Sequence, residues 1–321
     1  MPISEFELIR QYFAQATGAR TDVLLGIGDD CALLQVPVGS SLAVSMDTLV
    51  EGRHFIPGAD PVSLGHKALA VNLSDLAAMG AEPAWATLAL TLPDADTAWL
   101  RAFVGGFSAL AAEHAVQLVG GDTTRGPLSI TVQVHGFVDS ARALRRDGGR
   151  SGDRLFVSGC VGDAGLALQS AKDPALAAAE RVYLQQRLDR PTPRVTLGRL
   201  LQGQASAAID ISDGLVADLG HICAASGLGA RIDLDCLPVS PAVGTECAAG
   251  NWQYVLAGGD DYELLFSVAP ARAEAVVSAC RAAGEQVQEI GCLVDDIGIV
   301  LVYPDGRVSE EIPDGFDHFR T

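Results

Sequence analysis

The chain has 321 residues, 49% of them hydrophobic, enough to bury two cores, so two domains are expected. Its 40 acidic residues against 22 basic ones leave a formal charge of −18, a field that repels nucleic acid and anionic membrane and leaves any phosphorylated ligand to be brought in by cations. Seven cysteines stand singly with no CxxC pair, which indicates neither a zinc site nor a disulfide framework and fits a reducing cytoplasm.

MPISEFELIRQYF has amphipathic helical spacing, and no 18-residue apolar run occurs, which predicts a soluble, untargeted, cytoplasmic protein without a membrane partner. The short β-rich segments VLLGI, CALLQV and SLAVSMDTLV follow, separated by Gly, Pro or Ser, and read as strands. Asp60-Pro61 opens a helix, with Asp60 as N-cap, Leu64, Ala68, Val71 and Leu76 at helical spacing, and Gly80 at its end. Strand WATLALTL, a helix over 94–115, and strands VQLVG and LSITVQVHGFV complete an N-terminal domain over 1–140. The basic, glycine-rich ARALRRDGGRSGD (141–153) links it to a second domain over 150–321. There the expected order is strand RLFVSG, helices to about 203, strand AAIDIS, helix 214–226, strands ARIDL and YELLFSV, helix 270–283 and strand IGIVLV. Such alternation predicts a mixed α/β architecture. Two GGD tripeptides, at 120–122 and 258–260, are a slight hint of internal duplication.

The acids recur where these predicted strands run out: Asp29 and Asp30 in GIGDD, Asp47 in AVSMDT, Asp122 in VGGDTT, and Asp210 and Asp213 in AIDISDG. Open α/β sheets keep their ligands at such ends. A single Asp there is ordinarily a turn former or helix cap, but six such placements together, most of them beside glycines, point to metal binding. Asp75 sits mid-helix in AVNLSDLAAMG, where an unpaired buried carboxylate would cost several kcal/mol, so a positive partner is expected, with Lys67 eight residues earlier a candidate. Hard oxygen donors without His or Cys point to magnesium. In GIGDD the glycines would approach a nucleotide while the carboxylates hold the metal that neutralises it. No Walker pattern, no strand-to-helix GxGxxG and no GxSxG occurs. His54 falls in a glycine and proline loop, where a lone histidine is ordinarily solvated, and Arg145 and Arg146 are candidate phosphate contacts in so acidic a chain.

In order, GIGDDCALL, SMDTLVEGRHF, KALAVNLSDLAAMGAEP, GGDTTRGPL, DISDGL, GGDDYELLF and the final GFDHF resemble the motifs of the thiamine-monophosphate kinase family across nearly the whole chain. The resemblance implies the two-domain aminoimidazole ribonucleotide synthetase-like fold, with an N-terminal sheet that pairs across a homodimer. It also implies ATP as co-substrate, several magnesium ions and the last step of thiamine diphosphate biosynthesis. Carried over by position, it makes Asp30, Ser45, Asp47, Asp75, Asp122, Asp210 and Asp213 magnesium ligands, with a backbone carbonyl from Met46, which stands where the family commonly has Thr or Ser. Gly121, Asp122, Arg146 and Ser212 would contact ATP, and His54 and Glu263 would meet thiamine monophosphate. The family often has a tryptophan just before the C-terminal motif. Here EIPDGFDHF places Pro313, which cannot stack as an indole does, so Phe316 takes that role.

The reaction implied is direct in-line phosphoryl transfer, with no side chain as nucleophile or general base. Alternatives are another ATP-dependent kinase or synthetase of this superfamily acting on a different phosphate or amide, or a non-catalytic cation-binding protein. A selenophosphate synthetase would want a reactive residue before the acids of the glycine region, where Cys31 follows them, and a hydrogenase-maturation relative would want a C-terminal cysteine, where this chain ends HFRT. A calcium module would gather its acids in one DxDxDG loop.

Overall fold

In the computed structural model, which describes residues 5–170, 176–313 and 315, the chain divides into two units. One comprises Met1–Leu76 with Ala81–Ala141, the other Ala77–Gly80 with Arg142–Thr321.

In the first unit, helix α1 (Glu5–Leu8) passes into a π turn (Ile9–Phe13) in place of one continuous helix. Strands β1 (Val23–Leu25) and β2 (Leu33–Leu34) pair as a small antiparallel ribbon, shorter than the apolar segments suggest because Gly26 to Ala32 leave the ladder. Strands β3 (Ser41–Val50), β4 (Glu82–Leu92), β5 (Gln117–Arg125) and β6 (Ser129–Val138) form a sheet in the order β3-β6-β4-β5. Helices α2 (Pro61–Ala78) and α3 (Thr97–Glu113) start where side chains cap free amides: the Asp60 carboxylate accepts from Ser63 N–H at 3.0 Å, and that of Asp96 from Ala98 N–H at 2.8 Å. The two helix backbones touch, because a Cβ on Gly65 would fall 2.0 Å from the Phe103 carbonyl oxygen and one on Gly106 1.9 Å from that of Val62. Leu69, Leu73, Phe103 and Phe107 are thereby buried, as are Leu88, Ile130 and Val132 of the sheet. Each such side chain contributes about 2 kcal/mol by leaving water.

The second unit carries β7 (Arg154–Ser158), α4 (Asp163–Ser170), α5 (Ala178–Asp189), α6 (Val195–Leu201), β8 (Ala207–Asp210), α7 (Leu215–Ser226) and β9 (Gly229–Asp233). It continues with α8 (Pro241–Ala248), α9 (Gln253–Ala257), β10 (Leu264–Val268), α10 (Pro270–Ala282), β11 (Val287–Val294), β12 (Ile299–Val302) and β13 (Val308–Ser309). Its sheet runs β13-β12-β9-β11-β7-β10-β8, antiparallel throughout except for the β12 and β9 pair. Leu215, Leu219 and Ile222 of α7 join Ile209, Ile211, Ala230 and Ile232 in one apolar core, which fixes the start of α7 against the end of β8. Among the described residues, no helix is long and apolar enough to cross a membrane.

Candidate functional site

The GIGDD segment hangs from a clamped base. Arg20 pairs with Asp22 at 2.7 Å, Trp85 Nε1 donates to Asp22 Oδ1 at 2.9 Å, and the Asp22 carbonyl accepts from Gln35 N–H across the ribbon. The Arg20 hydrogen bond, with help from Trp85, holds the Asp22 carboxyl below the usual carboxylate range. Beyond that clamp, Gly28, Asp29 and Asp30 line a cavity of about 430 Å³ that is also lined by Leu118 to Thr123 of β5, including Gly121 and Asp122. The first and fourth family-like motifs, far apart in the chain, therefore share one cavity, which Phe13 and Leu88 also line. Gly121 has φ +148°, and a Cβ there would lie 1.9 Å from the Leu88 carbonyl oxygen, so close strand packing alone requires glycine at this position.

Asp47 and Asp122 were expected at strand ends, and both lie inside strands, because the ladder runs on through polar residues. They also occupy opposite faces. Register links Asp47 to Val132, Leu88 and Gly121 on one face, and Thr48 to Thr131, Ala89 and Asp122 on the other. On the first face α2 meets β3: Ser45 Oγ donates to Asp75 Oδ2 at 2.5 Å, and Asp47 N–H donates to Asn72 Oδ1 at 3.0 Å. The mid-helix carboxylate thus has a hydroxyl donor, and Lys67 is itself buried on the same helix. Met46, which points the other way, is 60% exposed. His54 is half-buried, and its Nδ1 accepts from Val50 N–H at 3.0 Å, which leaves Nε2 as the N–H end of the neutral ring.

In the second unit Asp210 ends β8 almost fully buried, and Ser212 and Asp213 follow, half-buried, in the turn before α7. The second GGD segment is laced to this turn: Asp260 N–H donates to the Ser212 carbonyl, Tyr262 N–H to that of Ile211, and Ile211 N–H to that of Glu263. Gly259, Asp260 and Tyr262 all have positive φ (63°, 59° and 52°), a strained path for the two non-glycines that costs on the order of 1 kcal/mol each. Gly315 also reaches this turn, since a Cβ on it would lie 3.1 Å from the Asp213 carbonyl oxygen. Phe316, the next residue, lies outside the described residues.

Glu263, expected to meet a ligand, is fully buried. Arg194 grips it with two nitrogens at 2.6 and 2.7 Å, Arg187 Nη2 adds a third contact at 2.7 Å, and Ser158 Oγ donates at 2.6 Å. A carboxylate in the chain's interior needs such donors, and they occupy it. Around it Tyr183 Oη donates to Asp163 Oδ2 at 2.9 Å and Gly162 N–H to Asp261 Oδ2 at 2.8 Å. Asp163 Oδ1 and Asp261 Oδ1 are buried without a hydrogen-bond partner among the described residues. Burial pushes the Asp261 carboxyl well above the usual aspartate range, and the Asp163 and Glu263 charges add to the rise. No spacing in the sequence signals this cluster, since Asp163, Arg187, Arg194 and Asp261 come from separate elements.

The two linker arginines separate clearly. Arg145 is occupied by Asp147 through two contacts at 2.9 and 2.6 Å, while Arg146 is exposed and has no ion-pair partner among the described residues. Also among the described residues, no three carboxylate, imidazole or thiolate groups converge as a metal cage. What the expected ligands offer is carboxylate and hydroxyl oxygen in small groups, a donor set suited to magnesium that keeps waters and takes further oxygens from a phosphate.

Comparison with known proteins bears on this arrangement. The model of the AIR synthase related protein N-terminal domain matches residues 28–138, and that of its C-terminal domain matches 150–303. Over 324 aligned residues, covering all of both chains, the sequence is 49% identical to the thiamine-monophosphate kinase of Salmonella typhimurium strain LT2. The solved thiamine-monophosphate kinase of Stenotrophomonas maltophilia K279a is 46% identical with a TM-score of 0.87, over 96% of this chain and 99% of that one. AaThiL complexed with AMPPCP and TMP is 33% identical with a TM-score of 0.77, over 88% and 89% of the two chains.

Proposed function

The chain belongs to the AIR synthase related family and, within it, to the thiamine-monophosphate kinases, and from that premise we propose how its residues transfer the ATP γ-phosphoryl group to thiamine monophosphate, giving thiamine diphosphate and ADP. One observation carries the reading: the likeness to a curated thiamine-monophosphate kinase runs the full length of both chains and so spans both units. A relative solved with AMPPCP and TMP supports ATP and thiamine monophosphate as the substrates.

We assign the nucleotide phosphates to the first-unit cavity lined by Asp30, Gly121 and Asp122, and we keep Arg146 and Ser212 of the second unit as the ATP contacts that the family resemblance implies. Magnesium would be held by Asp30, Ser45, the Met46 carbonyl, Asp47, Asp75, Asp122, Asp210 and Asp213, and when bound it offsets the repulsion between two polyanions that a −18 chain cannot itself relieve. The resemblance assigns His54, Glu263 and Phe316 to the thiamine end, and Glu263, held by Arg187 and Arg194, would act only through those two arginines. The chain's work is positioning: the Asp22 clamp fixes the root of the acidic loop, and the Ser45 to Asp75 bond fixes β3 on α2. The acceptor phosphate, with a second pKa of about 6, is mostly dianionic at neutral pH and needs no proton removed, so no general base is called for.

A homodimer is part of the proposal. Ten-residue β3 is an edge strand, and Leu42, Val44 and Met46 stand exposed along one of its faces, a liability that a second copy would cover. We place the enzyme in the cytoplasm, where ATP is at hand and its seven free thiols would stay reduced. ADP release measured against a panel of phosphorylated and free vitamins tests the substrate assignment. Thiamine monophosphate should be the preferred acceptor, and preference for any other would sink it.

A further inference from the structure

Asp218 lies in the first turn of α7, and it is 2% exposed. Its Oδ2 accepts from three successive backbone amides, Ser212 N–H and Asp213 N–H at 3.0 Å and Gly214 N–H at 3.2 Å. Three consecutive amides at the start of a helix ordinarily form a concave nest for an anion such as phosphate. Here the nest is filled from within. Its carbonyl side is held as well, since Asp260 and Tyr262 donate to the Ser212 and Ile211 oxygens. With its amides turned inward, the turn can offer a ligand the Ser212 hydroxyl, which keeps its single O–H donor, and the Asp213 carboxylate, an oxygen ligand for a cation, but no longer a row of amide donors to a phosphate.

We propose that Asp218 is a positioning residue that converts the start of α7 from an anion nest into a magnesium-facing turn, so that this turn meets the nucleotide through its metal. The inference rests on the reading of Ser212 and Asp213 as nucleotide and metal contacts, and it gives Asp218 no contact with substrate. An Asp is suited to the task because one buried carboxylate oxygen can satisfy three amides at once, whereas Asn presents a single neutral oxygen and Ala presents none.

The test compares wild type with Asp218→Asn and Asp218→Ala by titrating each full-length protein with a non-hydrolysable ATP analogue at several magnesium concentrations. Steady-state KM for ATP and for thiamine monophosphate is measured in parallel. Expected are analogue affinity and KM for ATP worsened about threefold or more in Asn and about tenfold or more in Ala, with a higher magnesium midpoint and KM for thiamine monophosphate within twofold of wild type. Hydrogen exchange at Ser212, Asp213 and Gly214 should quicken in the same order, a change that does not depend on any ligand. If the Ala protein does not fold, the Asn protein decides. Unchanged magnesium midpoint and analogue affinity in Asn, or an equal rise in both KM values, overturns the inference. Failure of wild type itself to bind the analogue with magnesium would instead strike the nucleotide assignment, so the two failures are told apart.

Discussion

Among single residues, the acids divide by environment. Asp122 is exposed on the cavity wall, so Asp122→Asn removes a proposed metal ligand without disturbing a core. Turnover should fall on the order of 10²-fold at moderate magnesium with the melting temperature nearly unchanged, and near-normal turnover refutes the role. Asp261 is the opposite case. Its folded pKa is raised, so below the ordinary aspartate value of about 4 its contribution to stability is complete, and that contribution is lost as pH rises toward the folded value. Asp261→Asn is neutral at every pH and can still accept from Gly162 N–H. The mutant-minus-wild-type melting temperature should therefore grow more positive from pH 4 to pH 8, and a flat or falling difference contradicts the assignment. The sequence exposes Asp122 through its glycines and its strand. It hides Asp261, because nothing in GGDDYELLF tells that one of two adjacent acids is wholly enclosed while its neighbour bends the chain at a positive φ.

Among elements, apolar periodicity located most strands and helices, helped by a cap at Asp60-Pro61 before α2. Strand β11 escaped because VQEIGCLV mixes Gln, Glu and Gly into its ladder, with a register shift at Gly291. Ends were misjudged where hydrophobicity stops before hydrogen bonding does, as at GGDTTR, whose pairing with β4 continues to Arg125. That pairing makes the two glycines of the first GGD unequal. Gly120→Ala would meet only a methyl of Thr87 at 3.8 Å, whereas Gly121→Ala would drive a Cβ into the Leu88 carbonyl at a left-handed φ. Thermal or urea unfolding should show Gly121→Ala destabilised by about 3 kcal/mol or more and Gly120→Ala by less than about 1 kcal/mol. Equal losses would mean that β4 and β5 do not approach as closely as described.

At the scale of the whole molecule, the exposed face of β3 predicts self-association. Sedimentation should give wild type twice the mass of one chain, and Val44→Asp, which puts a charge at a 50% exposed apolar position of that face, should give monomer. A monomeric wild type removes the dimer from the proposal. The expectation of a dimer came only from the family resemblance, since alternation in SLAVSMDTLV does not say which face meets solvent. In the proposed mechanism metal-held phosphates react directly, the protein supplying neither nucleophile nor base. The measurement that tests it most directly is the pH dependence of kcat/KM for thiamine monophosphate and for an analogue of shifted phosphate pKa, with free thiamine alongside, at saturating ATP and magnesium. Expected is an acid limb that falls about tenfold per unit below the phosphate pKa of about 6, moves with the analogue's pKa, and is accompanied by negligible phosphorylation of free thiamine. An acid limb indifferent to the analogue, or efficient phosphorylation of free thiamine, would show that a protein base is at work and contradict it.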